Sequence, residues 1–125
     1  MKDTADGSCT WIVPDGWLPP EGGAGDLINH ESLMILNTGK TGTDIRIDIY
    51  FEDKPPVVGL RLRVEAERIK AIRLDDPAQL GFVLPRATQY ALRIRSDVKV
   101  IVQYGRMDVR QPNLAYYGTM AFPIT

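Results

Sequence analysis

The chain has 125 residues, of which 44% are hydrophobic and 25% charged, and its formal net charge is −1. This composition fits one globular domain with a single core, and it excludes a membrane span, since no apolar run approaches the roughly 18 residues that a span needs. The first residues carry acids where a signal peptide carries basic and apolar stretches, so we expect a cytoplasmic protein.

The near-neutral total hides an uneven distribution of charge along the chain. Residues 1–60 contain four Lys/Arg and ten Asp/Glu, whereas residues 61–110 contain eleven Lys/Arg and six Asp/Glu. In one compact domain such halves interleave, or they meet across an oligomer interface. Nucleic-acid binding is the weaker alternative, because the sequence has no basic tail and no run of Lys/Arg.

Apolar and polar side chains alternate with a period of two residues in several segments, which is typical of strands with one buried face. The seven predicted strands cover, in chain order, 11–13, 33–37, 44–50, 60–64, 68–74, 90–95 and 98–104. Segment 63–74 also contains good helix formers, so a helix is the alternative there. Its β-branched residues and its position between two strands favour a strand.

Turn-forming residues separate these strands and indicate the fold class. They cluster at 14–16, 19–25, 37–42, 53–56 and 75–77. Segment 37–42, NTGKTG, lacks the spacing of a phosphate-binding loop and is interpreted as a hairpin turn. Short strands at this spacing predict an all-β, single-domain antiparallel β-sandwich of about seven to eight strands over residues 1–125. Residues 1–8 and 112–125 are expected to be flexible or engaged in oligomer contacts.

Four arginines fall on the polar side of their predicted strands: Arg61, Arg63, Arg93 and Arg95. If those strands are neighbours, the arginines form one charged sheet face. One interpretation is a solvated face with cross-strand ion pairs to Asp44, Asp48 and Glu65. The alternative is a ligand-binding surface.

The chain has one histidine, His30, and one cysteine, Cys9, which argues against most catalytic schemes. Nucleophilic catalysis would have to use His30, and no G-x-S-x-G motif is present. A zinc site has only His30 and Glu31 as a start, and adjacent strand residues point to opposite faces. We therefore expect no catalytic residue, no metal site, no cofactor and no enzymatic activity.

Binding of a small polyhydroxylated or anionic molecule fits the residue types better. Planar polar side chains form paired hydrogen bonds with hydroxyls, and aromatic rings stack on the C–H faces of sugars. Donors and acceptors come from His30, Glu31, Arg68, Arg73, Gln103, Arg106, Asp108 and Arg110, and flat apolar faces come from Trp11, Trp17 and Tyr104.

The segment VIVQYGRMDVRQ, residues 100–111, begins as an apolar strand and ends in charged residues. An unbroken two-residue period would place Arg106, Asp108 and Arg110 in line with the core, which is costly for charged groups. Gly105 is therefore predicted to form a bulge or bend that directs these residues toward a ligand cavity or a neighbouring subunit.

Several of these motifs together resemble the sensory rhodopsin transducer family, small soluble bacterial proteins. The matching segments are Trp11, GWLPP at 16–20, His30-Glu31, ILN-x-G at 35–39, IYF-x-DK-x-P at 49–56 and VQ-x-x-R-x-D-x-RQ at 102–111. The correspondence runs in consistent order from about Cys9 to Gln111. The sequence departs from the family pattern at 75–91 and after residue 111.

The resemblance implies a jelly-roll-like β-sandwich that assembles as a homotetramer and has no known enzymatic activity. The family takes its name from a member that couples to a membrane photoreceptor, and it has been thought to bind small molecules such as sugars. The divergent segment 75–91 is then a candidate contact region for a partner.

These observations lead to two hypotheses. The first is a non-enzymatic signal-relay module that binds a small sugar-like ligand through Trp11, His30, Glu31, Gln103, Arg106, Asp108 and Arg110. The second is a transducer that acts by protein contact alone, docking on a membrane receptor. Structural alternatives stay open for single residues: Trp11 as part of the core, and Asp108 as an ion-pair partner of its two neighbouring arginines.

Overall fold

The computed structural model describes residues 5–22, 27–111 and 115–125. The secondary structure of this part consists of β1 (Ser8–Trp17), β2 (His30–Asn37), β3 (Thr43–Phe51), β4 (Val57–Val64), β5 (Arg68–Arg73), α1 (Pro77–Leu80), β6 (Gln89–Asp108), β7 (Ala115–Met120) and β8 (Phe122–Ile124). Residues 23–25 of the predicted glycine-rich turn, and residues 1–4 and 112–114 of the predicted terminal segments, lie outside the described residues.

The strands form two antiparallel sheets that pack face to face, which confirms the predicted all-β sandwich. Sheet A has the order β4-β3-β6-β1-β8. Sheet B has the order β5-β2-β6-β7. Inward residues of both sheets alternate with outward ones, and the core between the sheets contains Leu33, Ile35, Ile47, Leu92 and Val102. The strand pattern in the sequence therefore follows directly from one buried face per sheet.

Strand β6 belongs to both sheets and connects them. Its first half pairs with β3 up to Ser96, and its second half pairs with β2 from Ile101 onward. The prediction of two separate strands at 90–95 and 98–104 is wrong, because the chain bends between the sheets without leaving the strand. Trp11 stabilises the bend: its Nε1 donates to the carbonyl oxygens of Ser8 at 3.0 Å and Val100 at 2.8 Å.

Two predicted turns have a different structure. Pro14 lies inside β1, where the register with β6 shifts between Val13 and Gly16, so this segment is a bulge. Gly16 is required there because a Cβ atom would lie 2.3 Å from the Tyr90 ring. Segment 37–42 is a turn but no hairpin, since β2 lies in sheet B and β3 in sheet A.

Two parts of the fold were not foreseen in the sequence. The helix α1 is only one turn long; Asp76 caps it by accepting from the Ala78 N–H at 2.9 Å, and Gly81 ends it with φ of 82°. Strands β7 and β8 complete the edges of sheet B and sheet A. None of the described helices has the length and apolarity to cross a membrane.

The outer faces of the two sheets differ in composition. Sheet A carries the predicted charged face. As expected, Arg63 pairs across strands with Asp44, and Arg93 and Arg95 pair with Asp48; Arg63 also pairs with Glu65, although this residue lies two positions further along the same segment. The pair between Arg46 and Asp97 is an addition that the sequence did not predict. Sheet B directs mostly apolar side chains outward: Met34, Leu36, Ile69, Ala71, Ile101, Met107, Tyr116 and Met120. We call these surfaces the arginine face and the apolar face.

Candidate functional site

A buried carboxylate, that of Glu31, organises one end of the sandwich. Glu31 shares the inward face of β2 with Leu33 and has no exposed surface. Its oxygens accept hydrogen bonds from the Tyr90 hydroxyl at 2.6 Å, the Trp17 N–H at 3.1 Å and Arg106 Nε at 3.0 Å. The three donors come from β6 and β1, so this side chain ties both sheets together.

Burial dominates the electrostatics of this network. It raises the pKa of Glu31 above its ordinary value, although the hydrogen bonds from Tyr90, Trp17 and Arg106 act in the opposite direction. Burial, together with the neighbouring Glu31 carboxylate, also raises the pKa of Tyr90 well above its ordinary value. The tyrosine therefore stays a neutral hydrogen-bond donor.

The prediction of a bend at Gly105 is wrong. Strand β6 continues through this residue, which pairs with Ser32 on one side and Gly118 on the other. Arg106 consequently does share the inward face with Tyr104, and the Glu31 carboxylate compensates for its burial. A Cβ atom at position 105 would lie 2.5 Å from the Tyr116 hydroxyl oxygen, so a larger residue there would displace the exposed Tyr116 side chain.

Cations and aromatic rings stack at the mouth of this network. The Arg106 guanidinium carbon lies 6.0 Å from the centre of the Trp17 ring and 5.5 Å from that of Tyr117, and Arg110 lies 5.3 Å from Trp17. Asp108 accepts from Arg110, with Nη2 to Oδ2 at 2.7 Å. The hydrogen bond from Arg110 lowers the pKa of Asp108, so this carboxylate is ionised.

An adjoining pocket of about 530 Å³ opens between the edges of the two sheets. It forms because β8 pairs with β1 only at Thr10–Ile12, which leaves the following residues of β1 uncovered. Its lining is Val13, Pro14, Asp15, Tyr104, Tyr117, Thr119, Met120, Ala121 and Phe122. We call it the tyrosine pocket. Its size and its apolar wall with a few hydroxyl and carboxylate groups are typical of small-ligand sites.

Two buried polar atoms in this region lack a hydrogen-bond partner among the described residues: the hydroxyl oxygen of Tyr104, which lines the pocket, and Nη2 of Arg106, whose guanidinium lies against the pocket residue Tyr117. Tyr104 lines the pocket, and its ring contacts that of Tyr117 with 6.4 Å between ring centres. Buried polar groups are normally satisfied by the protein, by water or by a ligand. The pocket side of the network thus retains hydrogen-bonding capacity.

The predicted site residues separate into two groups. Glu31, Arg106, Asp108 and Arg110 come together around Trp17, and His30 lies beside them on the opposite face of β2, with Nδ1 2.7 Å from the Ile28 carbonyl oxygen. Trp11 lies in the core at the bend of β6, as its structural alternative proposed. Gln103 points outward from the apolar face, paired between Met34 and Met120.

Sequence reasoning missed three members of the cluster as site residues. The sequence indicates Trp17 as a flat aromatic surface and as part of the GWLPP motif, but not as a site residue. The bulge in β1 places its side chain on a different side of the strand from that of Trp11. Tyr90 is 59 positions from Glu31 and has no local signal. Tyr117 lies beyond Gln111, where the family motifs recognised in the sequence end. Among the described residues, no three His, Cys, Asp or Glu side chains are grouped so that they could hold a metal ion.

Comparisons with known proteins agree with this architecture. The family model described as "Anabaena sensory rhodopsin transducer" matches residues 6–123. The crystal structure of Thermotoga maritima 1070 is 34% identical, with a TM-score of 0.84 over 95% of this chain and 97% of that one. The structure of the Anabaena sensory rhodopsin transducer is 36% identical, with a TM-score of 0.71 over 86% of this chain and 95% of that one. No curated protein matches.

Proposed function

This chain belongs to the Anabaena sensory rhodopsin transducer family, and on that premise we propose that it is a non-enzymatic cytoplasmic signal-relay module that binds a small polyhydroxylated, sugar-like ligand. The ligand would occupy the tyrosine pocket and contact the stacked cluster of Trp17, Arg106 and Arg110. The observation that carries the proposal is the pair of unsatisfied groups, the Tyr104 hydroxyl and Arg106 Nη2, beside a pocket of sufficient size.

The surrounding residues suit a sugar in two ways. Tyr117 offers an aromatic face for the C–H surface of a sugar ring, and Asp15 and Thr119 offer polar groups at the rim. Arg110 is partly exposed beside Trp17 and presents donors for hydroxyl or carboxylate oxygens. The Glu31 network behind them fixes Arg106, so the site is largely formed before a ligand arrives.

A ligand screen with tryptophan fluorescence tests this proposal. The chain has two tryptophans, and only Trp17 lies in the cluster, so neutral sugars and sugar acids that bind should raise the melting temperature and change Trp17 emission. We expect W17F to abolish the emission change while Trp11 emission stays constant. The variant R110Q should weaken binding about tenfold, as expected for one charge-assisted hydrogen bond.

The matched control is R46Q, which removes an arginine of the arginine face that is also paired with an aspartate, Asp97. It should leave ligand binding unchanged. A folded protein that gives no thermal shift and no emission change with any sugar or sugar acid would contradict the proposal. Equal weakening by R46Q and R110Q would also contradict it, because the effect would then be nonspecific.

We further propose that the protein is a homotetramer and that the part of the apolar face formed by β6 and β7 is one of its subunit interfaces. Tyr116 is 59% exposed and Met120 53% exposed on this part. Contiguous apolar surface of this kind is unusual for a monomer and is expected where subunits pack. A second exposed apolar strip, made by Phe122 and Ile124 of β8, lies at the edge of sheet A and could complete a tetramer.

Light scattering with size-exclusion chromatography checks the assembly. One chain has a mass of 14.0 kDa, so the tetramer should have four times that mass. The variant Y116E should dissociate it, because charged groups would be buried in the interface. V83E is the control, since Val83 is 71% exposed in a loop outside both sheets. A monomeric wild-type protein, or an unaffected tetramer in Y116E, would contradict this interface.

The second candidate function is docking on a membrane photoreceptor, with no ligand. It is favoured by the likeness to the Anabaena sensory rhodopsin transducer over 86% of this chain. The divergent segment 75–91, which contains α1 and the exposed Val83, is the proposed contact. Binding of the purified chain to a detergent-solubilised rhodopsin from the same genome would support docking, and a genome without rhodopsins would exclude it.

Nucleic acid is the least favoured partner of the arginine face. Most of its arginines already pair with carboxylates, among them Asp48, Asp97 and Glu65. Such pairing leaves little positive charge for phosphates, whose binding depends on release of counterions. Absence of DNA binding at low salt is therefore the expected result.

A further inference from the structure

We infer that the sandwich has a second binding site, separate from the tyrosine pocket, for an extended acidic peptide that adds as a strand to the free edge of β5. The site is the cleft between β4, the edge strand of sheet A, and β5, the edge strand of sheet B. We call it the edge cleft. Its occupant is a peptide in which acidic and apolar residues alternate.

The edge cleft consists of two depressions that run into each other. One of about 550 Å³ extends from Arg63 to Lys70 around the turn between the strands, and one of about 580 Å³ extends from Arg61 to α1. Arg63 and Lys70 line both. The depressions together follow the length of β5, which suits an extended chain better than a compact small molecule.

The direction of the backbone groups of β5 identifies its free positions. The Leu74 N–H donates to the Glu31 carbonyl of β2, whereas the Arg73 N–H points the other way and donates to Gln79 Oε1 at 2.8 Å. Because backbone groups alternate in direction along an antiparallel strand, those of Ile69 and Ala71 also point away from β2, into the open edge. Among the described strands, β5 pairs with β2 alone.

The contact of Gln79 with Arg73 imitates the missing strand at one position. The amide oxygen of the side chain takes the place that a carbonyl oxygen of a paired strand would occupy. At the edge of β5 the backbone N–H of Arg73 thus has a hydrogen-bond acceptor, whereas the backbone groups of Ile69 and Ala71 are available to an added strand. A peptide that pairs there would use both the N–H and the C=O groups, as in other complexes formed by strand addition.

Charge determines which peptide fits. The edge cleft is lined by four cations, Arg61, Arg63, Arg68 and Lys70, and by one carboxylate, Glu65, which is paired with Arg63. Among the described residues Arg61 and Lys70 form no ion pair, so their charge is available to a partner. Lys70 pairs with Ile35 and therefore faces the cleft, whereas Ile69 faces outward. In an added strand, residues opposite Lys70 would meet cations and residues opposite Ile69 would meet apolar surface. Alternating acidic and apolar residues satisfy both.

The same geometry disfavours a nucleic acid in the edge cleft. The open edge presents carbonyl oxygens as well as N–H groups, and phosphate oxygens can accept hydrogen bonds but cannot donate them. A peptide backbone supplies both partners.

Fluorescence anisotropy with labelled synthetic peptides tests the inference. An eight-residue peptide of alternating Val and Glu should bind, and the same peptide with Lys in place of Glu should bind at least about tenfold more weakly. N-methylation of the alternate residues that would face β5 should also weaken binding by about tenfold, because methyl groups remove the backbone donors. Equal binding of methylated and unmethylated peptides would overturn strand addition.

Charge reversal in the protein identifies the site. The double variant R61E/K70E should lose binding of the Glu peptide by about tenfold or more and gain binding of the Lys peptide. The control K54E/K99E changes the net charge equally outside the edge cleft and should leave both affinities unchanged. Circular dichroism establishes that each variant is folded.

Three results would overturn the inference. The first is that the Glu peptide does not bind to folded wild-type protein. The second is that a DNA oligonucleotide binds more tightly than the peptide and loses its affinity in R61E/K70E. The third is that R61E/K70E loses self-association, which would make a second copy of the chain the occupant. Sugar binding at the tyrosine pocket is measured separately, so its outcome does not affect this test.

Discussion

Glu31 and Asp48 are two carboxylates without exposed surface, both bound by arginine, and their pKa values are shifted in opposite directions. Burial is the largest influence on the pKa of each and acts upward. For Glu31 the net shift is upward; for Asp48 the Gly59 N–H and the guanidinium groups of Arg93 and Arg95 outweigh burial and lower the pKa. The same chemical group therefore has two electrostatic environments in one small sandwich.

The difference lies in what covers each carboxylate. Glu31 faces the core, is surrounded by packed protein and has one cationic neighbour, Arg106. Asp48 lies on the outer surface of sheet A, where it is covered by the side chains of two arginines, Arg93 and Arg95. Two cations at the surface stabilise an ionised carboxylate, whereas a single cation in the interior does not fully replace the lost hydration.

Truncation of the two carboxylates should give the largest contrast. We expect E31A to lower the free energy of unfolding by about 3–5 kcal/mol, because the Tyr90 hydroxyl, the Trp17 N–H and Arg106 would stay buried without an acceptor. D48A should cost only about 1–3 kcal/mol. Arg93 and Arg95 are 39% and 36% exposed and can turn toward water.

Urea unfolding followed by circular dichroism measures both values. The variant E31Q is the control for E31A, since the amide oxygen keeps an acceptor for Tyr90 or Trp17 and should recover part of the loss. Similar costs for E31A and D48A would mean that the depth of burial does not distinguish the two sites.

Removal of the arginines should give a smaller contrast in the same direction. R106M keeps an unbranched side chain in the position of the arginine stem but leaves Glu31 without its cation, and we expect a cost of about 2 kcal/mol at neutral pH. R93M should cost about 0.5 kcal/mol, because Arg95 still binds Asp48 and the pair is partly exposed. The cost of R106M should decrease at acid pH, since a protonated Glu31 does not need the cation; a cost independent of pH would contradict this account.

The sequence could predict the environment of Asp48 but only part of that of Glu31. Strict alternation in 44–50 and 90–95 places Asp48 and Arg93 outward on predicted strands, and their pairing is confirmed in the structure. The predicted strand 33–37 begins after Glu31 and is apolar on both faces, so it indicates a strand beside Glu31 but not the side that this carboxylate faces. Its partner Tyr90 could not be predicted either, because no local pattern specifies which strands become neighbours.

The remaining errors have physical causes of the same kind. A bulge at Pro14 changes which side of β1 Trp17 occupies, and one extra residue is invisible in the hydrophobic pattern. The bend of β6 between the sheets interrupts the alternation of apolar and polar residues. In the sequence such an interruption looks the same as a loop between two separate strands. Strand β7 is exposed throughout, so it carries no contrast between buried and exposed positions that could reveal it.

The pH dependence of stability provides the finest comparison, because the two carboxylates should differ in sign. Glu31 has a raised pKa in the folded protein, so its contribution is fully present below the ordinary glutamate pKa and is lost as pH rises through the folded value. Asp48 has a lowered pKa, so its contribution is present above the ordinary aspartate pKa and is lost as pH falls through the folded value.

Unfolding free energies of the wild type, E31Q and D48N, measured from about pH 3 to about pH 7, separate these contributions. The stability of the wild type relative to E31Q should decrease with increasing pH, and its stability relative to D48N should increase, with both changes smaller than the truncation effects. Slopes of the same sign would mean that Arg106 stabilises the charge of Glu31 as well as the two arginines stabilise that of Asp48.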